Sequence, residues 1–291
     1  MSPDQYCQGK AAASGSSFYY SFLFLPAAQR RAIVALYAFC REVDDIVDEC
    51  SDRDIARRKL DWWREEVDAC FAGNAGHPVT RALQPVLQQY NLPAEYFQEI
   101  LDGMTMDLDR QRYASFSELA LYCHRVASVV GLLSAEIFGY RRRETLKYAE
   151  ALGTAFQLTN IIRDVREDAA RGRIYLPLDE MREYGVNPQN ILGGFPADNL
   201  DALLEYQARR ARDYYARALS LLPEEDRYAQ RSGLVMAAIY QALLNEIEAD
   251  GYRVLQQRIH LTPLRKFWIA WTTARRERRR HRQHLKKPLH V

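Results

Sequence analysis

A chain of 291 residues with 48% hydrophobic and 27% charged side chains can bury a sizeable core, in one large domain or two small ones. Five cysteines (residues 7, 40, 50, 70 and 123), odd in number and without C-x-x-C spacing, argue against a disulfide framework or a structural zinc site and fit a reduced cytoplasm. The net charge of +2 is uneven: eight Lys/Arg and one Glu from Thr272 onward put +7 on the tail and −5 on the rest.

The N-terminus, MSPDQYCQGK, lacks the charged-then-apolar order of a secretion signal. No apolar run approaches the roughly 18–20 residues that span a bilayer. The expectation is a cytoplasmic protein, soluble or peripheral at the inner membrane surface. Helical periodicity then dominates the chain. LPAAQRRAIVALYAFCREVDDIVDE predicts a helix with Pro26 in its first turn, and SDRDIARRKLDWWREEVDACFAG one that starts at Ser51 and stops at Gly73. SELALYCHRVASVVGLLSAEIFG is apolar nearly all round, with small residues at Ala127, Ser128 and Gly131, and belongs in the middle of a bundle. His124 in this stretch reads as a packed core residue rather than a ligand. KYAEALGTAFQLTNIIRDVRED and RSGLVMAAIYQALLNEIEADGYRVL continue the pattern, separated by an irregular segment, residues 171–196, rich in Gly and Pro. Segments of that length often act as lids. The fold class expected is all-α: one domain over residues 1–271, followed by a basic tail over 272–291. Three readings of the tail stay open: a disordered end, a nucleic-acid arm, or a contact for anionic lipid, to which each basic residue can contribute about 1 kcal/mol. An acidic body without a recognisable module gives the nucleic-acid reading no support.

Two acidic stripes stand out. Tyr37, Arg41, Asp44 and Asp48 are spaced four, three and four, and so share one helix face. Gln157, Asn160, Asp164 and Asp168, spaced three, four and four, repeat the logic, with Arg163 beside them. Like charges so placed repel by only about 0.2–0.5 kcal/mol per pair, so either stripe alone could be a solvated face. Two stripes of oxygen ligands with arginines, on otherwise apolar helices, point instead to a magnesium-bound diphosphate. Mg²⁺ prefers oxygen and shares its shell between carboxylates, water and phosphate. Without it, two unit charges about 4 Å apart at an effective dielectric of about 20 interact by about 4 kcal/mol. Arg41 and Arg163 offer the guanidinium fork that phosphate oxygens accept. A diphosphate neutralised in this way is a good leaving group, and the apolar helices would supply a dry cavity for a hydrocarbon chain. No Glu-x-x-His pair, H-E-x-x-H, P-loop or G-x-G-x-x-G supports a competing metal or nucleotide chemistry.

The motifs SGSSFYYSFLFLP, YAFCREVDDIVD, YCHRVASVVG, QLTNIIRDVREDAARGRIYLP and YQALLNEIEADGY, in that order, resemble the squalene/phytoene synthase family over residues 14–270. That family joins two prenyl diphosphates head to head. The resemblance implies an isoprenoid-synthase-type bundle around a central hydrophobic cavity with two Asp-rich helices at its mouth. It implies Asp44, Asp48, Asn160, Asp164 and Asp168 as ligands of Mg²⁺, for which Mn²⁺ could stand in, and Asp45 as a supporting residue. Ser14, Gly15, Ser16 and Ser17, together with Tyr37, Arg41, Gln157, Arg163, Arg173 and Tyr240, become substrate contacts. Of these, Tyr37 and Arg41 join Asp44, Asp48, Asp164 and Asp168 as catalytic residues. Arg173 and Tyr175 fall in a lid, and Tyr122 and Arg125 at the cavity mouth. Among its members the chain looks most like the bacterial presqualene diphosphate synthases of hopanoid pathways. These condense two molecules of farnesyl diphosphate, need no NADPH for that step, and pass the product to a separate enzyme.

The alternatives are phytoene synthase, acting on the twenty-carbon substrate, or a complete squalene or dehydrosqualene synthase. A class I terpene cyclase shares the N-x₃-D-x₃-D spacing but not the Ser segment or GRIYLP. A head-to-tail elongase would repeat D-D-x-x-D at its second site, where Arg163 precedes Asp164 here. A membrane-associated helical scaffold, the non-enzyme reading, predicts that magnesium and prenyl diphosphates leave thermal stability unchanged.

Overall fold

Helix is the only regular structure among the residues described, which are 1–13, 17–195 and 198–286 of the computed structural model. Those described residues form fifteen α-helices and one π-helical turn. The N-terminal half contains α1 (Pro3–Ala13), α2 (Ser17–Phe22), α3 (Ala27–Glu49), α4 (Arg53–Phe71), α5 (Pro78–Tyr90) and α6 (Ala94–Asp109). A central helix follows, made of α7 (Phe116–Cys123), the π turn His124–Ser128 and α8 (Val129–Phe138). Next come α9 (Glu144–Arg163), α10 (Val165–Ala170), α11 (Leu178–Glu183), α12 (Pro188–Gly193), α13 (Leu200–Leu221), α14 (Arg231–Ala249) and α15 (Pro263–His284).

The side chains sort into two hydrophobic clusters. One is built by α1, α3, α4, α5 and α6, where Phe39 meets Trp63 and Phe97 edge-on at 5.6 and 5.3 Å. The other is built around α9, α13 and α14. Phe18 and Val126 pack against both, so α2 and the π turn lie along the seam. A cavity of about 820 Å³ opens at this seam. Its close walls depend on glycine. A Cβ on Gly153 would sit 2.5 Å from the Ala127 carbonyl oxygen, and one on Gly131 would sit 2.5 Å from that of Ala149. Only hydrogen at these positions lets the central helix and α9 approach so closely.

Several sequence expectations shift. Pro26 is the residue before the first turn of α3 rather than part of it. Asp52, not Ser51, caps α4, its carboxylate accepting from the backbone N–H groups of Asp54 and Ile55. The segment over 171–196 contains the short helices α11 and α12. Phe116–Phe138 is long and apolar enough to cross a membrane by length and composition, contrary to the expectation that no run is; half of that span is buried inside the protein, and it forms a cavity wall. Residues 272–284 of the expected tail continue α15, whose Ala270, Thr273, Ala274 and Glu277 are buried; residues 287–291 lie outside the described residues. Glu277 is gripped by Arg227 at 3.1 Å, and His281 stacks on Tyr228 at 4.4 Å.

Candidate active site

The first stripe forms as the spacing requires. On α3, Phe39, Val43 and Val47 are buried away from the cavity, while Tyr37, Arg41, Asp44 and Asp48 line it. The second stripe is not on a single helix. α9 ends at Arg163, Asp164 leaves helical dihedrals (φ −99°, ψ 16°), and Asp168 lies on α10. The i→i−4 bonds continue across the break, Asp164 N–H to the Asn160 carbonyl and Asp168 N–H to the Asp164 carbonyl, both 2.8 Å. Gln157, Asn160, Arg163, Asp164 and Asp168 therefore all reach the same cavity.

Arginines hold most of these carboxylates. Arg41 donates to Asp44 at 2.5 Å and also to Asp45. Asp45 stays outside the lining and binds Lys10 at 2.8 Å. Arg173 donates to Asp48 at 2.9 Å, with Arg171 at 3.5 Å. Asp164 receives Arg163 at 2.7 Å and Arg258 at 2.9 Å. Arg163 also reaches the Tyr240 phenol, which burial holds above the usual range. Asp168 has no ion pair among the described residues. Burial first, then the nearby Asp164 and Asp107 charges, push its carboxyl up to about 8. Asp44 is pushed up to about 7 by burial and by Asp48, with Arg41 opposing. Its side chain, 37% exposed, lines the cavity.

The apolar roof is α2. Phe18 touches the rings of Tyr37, Phe156 and Tyr240 at 5.7, 6.3 and 6.3 Å, and Ser17 lines the cavity beside it. Opposite, Asp107 on α6 accepts from the Tyr175 hydroxyl at 2.7 Å and the Tyr122 hydroxyl at 2.9 Å. Tyr175, Tyr122 and Tyr113 form a three-ring cluster, with the Tyr175 centroid 5.1 Å from Tyr122 and 5.8 Å from Tyr113, and those two 5.5 Å apart.

The family model for squalene/phytoene synthase matches residues 11–265. A phytoene synthase of Arthrospira platensis is 36% identical over 276 residues, 89% of this chain and 88% of that protein. The chain belongs to the squalene/phytoene synthase family. Among solved structures, a dehydrosqualene synthase in complex with ligand shares 30% identity, with a TM-score of 0.83 over 95% of this chain and 97% of that one. A squalene synthase, HpnC, of Alicyclobacillus acidocaldarius shares 31% identity, with a TM-score of 0.76 over 86% of this chain and 94% of that one. The squalene/phytoene synthases are prenyltransferase-type enzymes, and the all-α isoprenoid-synthase fold expected from the motifs is the fold found.

Ser17, Tyr37, Arg41, Asp44, Asp48, Gln157, Asn160, Arg163, Asp164, Asp168, Arg173 and Tyr240 all line one cavity. Ser14, Gly15 and Ser16 lie outside the described residues. Arg125 is not at the mouth: it donates to Glu99 at 3.0 Å, away from the lining. His124 is not core; it is part-exposed and pairs with Glu150 at 3.4 Å. Tyr175, expected in a lid, is buried within the aromatic stack. Sequence reading missed Asp107, Glu167, Arg171, Arg258 and Lys266 in the lining. Ile100, Met104 and Asp107, spaced four and three, face the cavity together. A carboxylate interrupting that apolar stripe was the available signal.

Among the described residues, no group of three or more His, Cys, Asp or Glu side chains could enclose a metal by itself. The donor set nevertheless suits Mg²⁺ ions shared with a ligand. Among the described residues, Asn160 Oδ1 and Glu167 Oε2 are buried acceptors without a donor. Asp44 and Asp168 carry carboxylates whose charge is incompletely compensated. An ion that takes only one or two protein carboxylates and completes its shell with phosphate and water needs no more.

Proposed function

We propose that this protein condenses two allylic prenyl diphosphates head to head within the cavity. What supports the reading is one juxtaposition: two carboxylate stripes from different helices, each with arginines, meet over a cavity that is also lined by aromatic and aliphatic side chains such as Phe18, Phe22, Phe156, Leu152 and Met236. Asp44 and Asp48 on one side, and Asn160, Asp164 and Asp168 on the other, would hold Mg²⁺, or Mn²⁺ in its place. The bound metal would neutralise diphosphate charge and make it a leaving group.

The chain's own side chains account for the rest. Arg41 and Arg163 exchange their carboxylate partners for phosphate oxygens, to which the guanidinium fork donates in pairs. Tyr37, Tyr240, Gln157, Arg173 and Ser17 add further donors around the leaving group. The Phe18, Phe156 and Tyr240 rings exclude water from the allylic cation left when the first diphosphate departs. That cation attacks the double bond of the second substrate, and loss of a proton closes a cyclopropane that keeps the second diphosphate.

For chain length we place the twenty-carbon substrate, and hence phytoene, ahead of the fifteen-carbon one, because the Arthrospira relative at 36% identity is a phytoene synthase. The fifteen-carbon reading, farnesyl diphosphate to presqualene diphosphate for a separate downstream enzyme, comes second. It draws on the likeness to a dehydrosqualene synthase and to a squalene synthase. Purified protein incubated separately with geranylgeranyl and farnesyl diphosphate, with Mg²⁺ or EDTA and with or without NADPH, distinguishes them by product mass. Phytoene from the longer substrate supports the first reading. Presqualene diphosphate persisting with NADPH supports the second, squalene would extend it, and no coupled product from either substrate would remove both.

A further inference from the structure

Away from the cavity, α15 carries a surface that the candidate active site does not use. Leu264, Phe267, Trp268 and Trp271 are 83%, 48%, 63% and 36% exposed. Their spacing of three, one and three puts them in one stripe on the helix, and the Trp268 and Trp271 rings touch at 5.3 Å. Single exposed hydrophobics are ordinary; four in register on one helix face are not. Continuing down the same face, Arg275, Arg278, Arg279 and Arg282 enter no ion pair among the described residues. Arg275 lies over the Trp271 ring at 5.3 Å, joining the two halves. A depression of Trp271, Thr272, Arg275, Arg276, Arg279, Arg280 and Gln283 has no carboxylate in its lining. Arg280 there is held by Glu224 at 2.6 Å and Arg276 lies 3.8 Å from Glu277, which leaves Arg275 and Arg279 without an ion pair among the described residues. The only acid on the helix, Glu277, is turned inward to Arg227.

We propose that α15 docks this protein on an anionic bilayer, its Leu264–Trp271 stripe entering the headgroup layer and its arginines meeting lipid phosphates. Charge complementarity selects the partner: a face that is cationic and donor-only calls for phosphate. The tryptophans, phenylalanine and leucine beside it are the side chains that settle at a membrane interface, where long arginine stems lie along apolar surface with their heads in water. The location is also apt for any ligand with a hydrocarbon tail. Ile259, His260 and Leu261, just before α15, and Lys266 within it line the cavity, so the docking helix borders the cavity rim. The inference does not depend on which prenyl substrate is used.

Flotation of the full chain with phosphatidylcholine vesicles, with and without phosphatidylglycerol, tests it. The expected result is co-flotation with the phosphatidylglycerol vesicles alone, weakened by salt. Each basic residue near such a surface raises partitioning roughly fivefold, so the triple variant Arg278→Gln/Arg279→Gln/Arg282→Gln should bind about a hundredfold less. Phe267→Ser/Trp268→Ser should also lose binding, while circular dichroism and thermal midpoint verify that both variants are folded. Wild-type protein left in the bottom fraction with anionic vesicles overturns the proposal, as does undiminished flotation of the Phe267→Ser/Trp268→Ser variant. Lipid-free sizing that shows a dimer lost on Trp268→Ser would assign the stripe to a second copy instead. RNA that displaces the protein from vesicles and still binds the serine variant would assign the arginines to nucleic acid.

Discussion

Asp107 is a buried carboxylate on the cavity wall whose only hydrogen-bond donors among the described residues are two phenols. Burial pushes it up to about 6, with Arg173, Tyr175 and Tyr122 pulling the other way. Because this value is raised above the ordinary 3.8, the folded protein favours the protonated acid. Its contribution to stability is full below about 3.8 and is lost as pH rises through about 6. The thermal midpoint of Asp107→Asn relative to wild type should therefore improve between pH 4 and pH 7. A difference that stays constant across that range would mean that Asp107 titrates as an exposed acid does. Tyr175→Phe removes the 2.7 Å donor and leaves a buried acceptor short of a partner. Denaturant unfolding at neutral pH should show a loss of about 1–3 kcal/mol. Asp107 was hard to read from sequence because DGMTMDLD also contains Asp102 and Asp109, and only its spacing from Ile100 and Met104 sets it apart along the chain. Packing makes the difference plain, Asp109 pairing with exposed Arg57 and Asp102 with Arg64.

α9 carries half of the candidate site, and its position is set from outside itself. Asp226, buried in the turn before α14, accepts from the Arg141 and Arg142 N–H groups at 2.8 and 3.0 Å and from the Thr145 hydroxyl at 2.7 Å. It thereby ties the loop residues just before α9, and Thr145 in its first turn, to the segment before α14. Asp226→Ala should lower unfolding free energy by about 1–3 kcal/mol, measured in urea. Gly153→Val should cost about 1–3 kcal/mol through overpacking, since its Cβ meets the Ala127 carbonyl at 2.5 Å and Ser128 Cα at 2.6 Å. The same substitution should reduce turnover by displacing a cavity wall; an unperturbed Gly153→Val protein would mean that the two helices have room to part. Periodicity made the α3 stripe legible in full because every member shares one uninterrupted helix. It made the second stripe legible in content but not in form. Adjacent helical residues do not face each other, and the Arg163–Asp164 pair closes where Asp164 departs from the helix. The α15 helix was hidden by its charge: a run of arginines reads as a solvated end, and the burial of Thr273, Ala274 and Glu277 comes from partners on and before α14.

At the scale of the molecule, the cavity exists because two hydrophobic clusters are joined along a seam that carries acids at its rim and rings within. Magnesium with a non-hydrolysable prenyl diphosphate should bridge that seam and raise the thermal midpoint, and EDTA should abolish the shift. At a ligand concentration of about 100 times the dissociation constant, the gain is about 2.7 kcal/mol. An unchanged midpoint under all conditions is what a non-catalytic scaffold predicts. The most direct measurement is kcat/KM for diphosphate release by wild type, Asp44→Asn and Asp164→Asn, each checked for native circular dichroism. If the two stripes act on one diphosphate chemistry, either substitution should reduce kcat/KM on the order of 10²–10³-fold or more, with the fold intact. Folded variants that turn over at the wild-type rate would contradict the assignment of the cavity as the site of condensation.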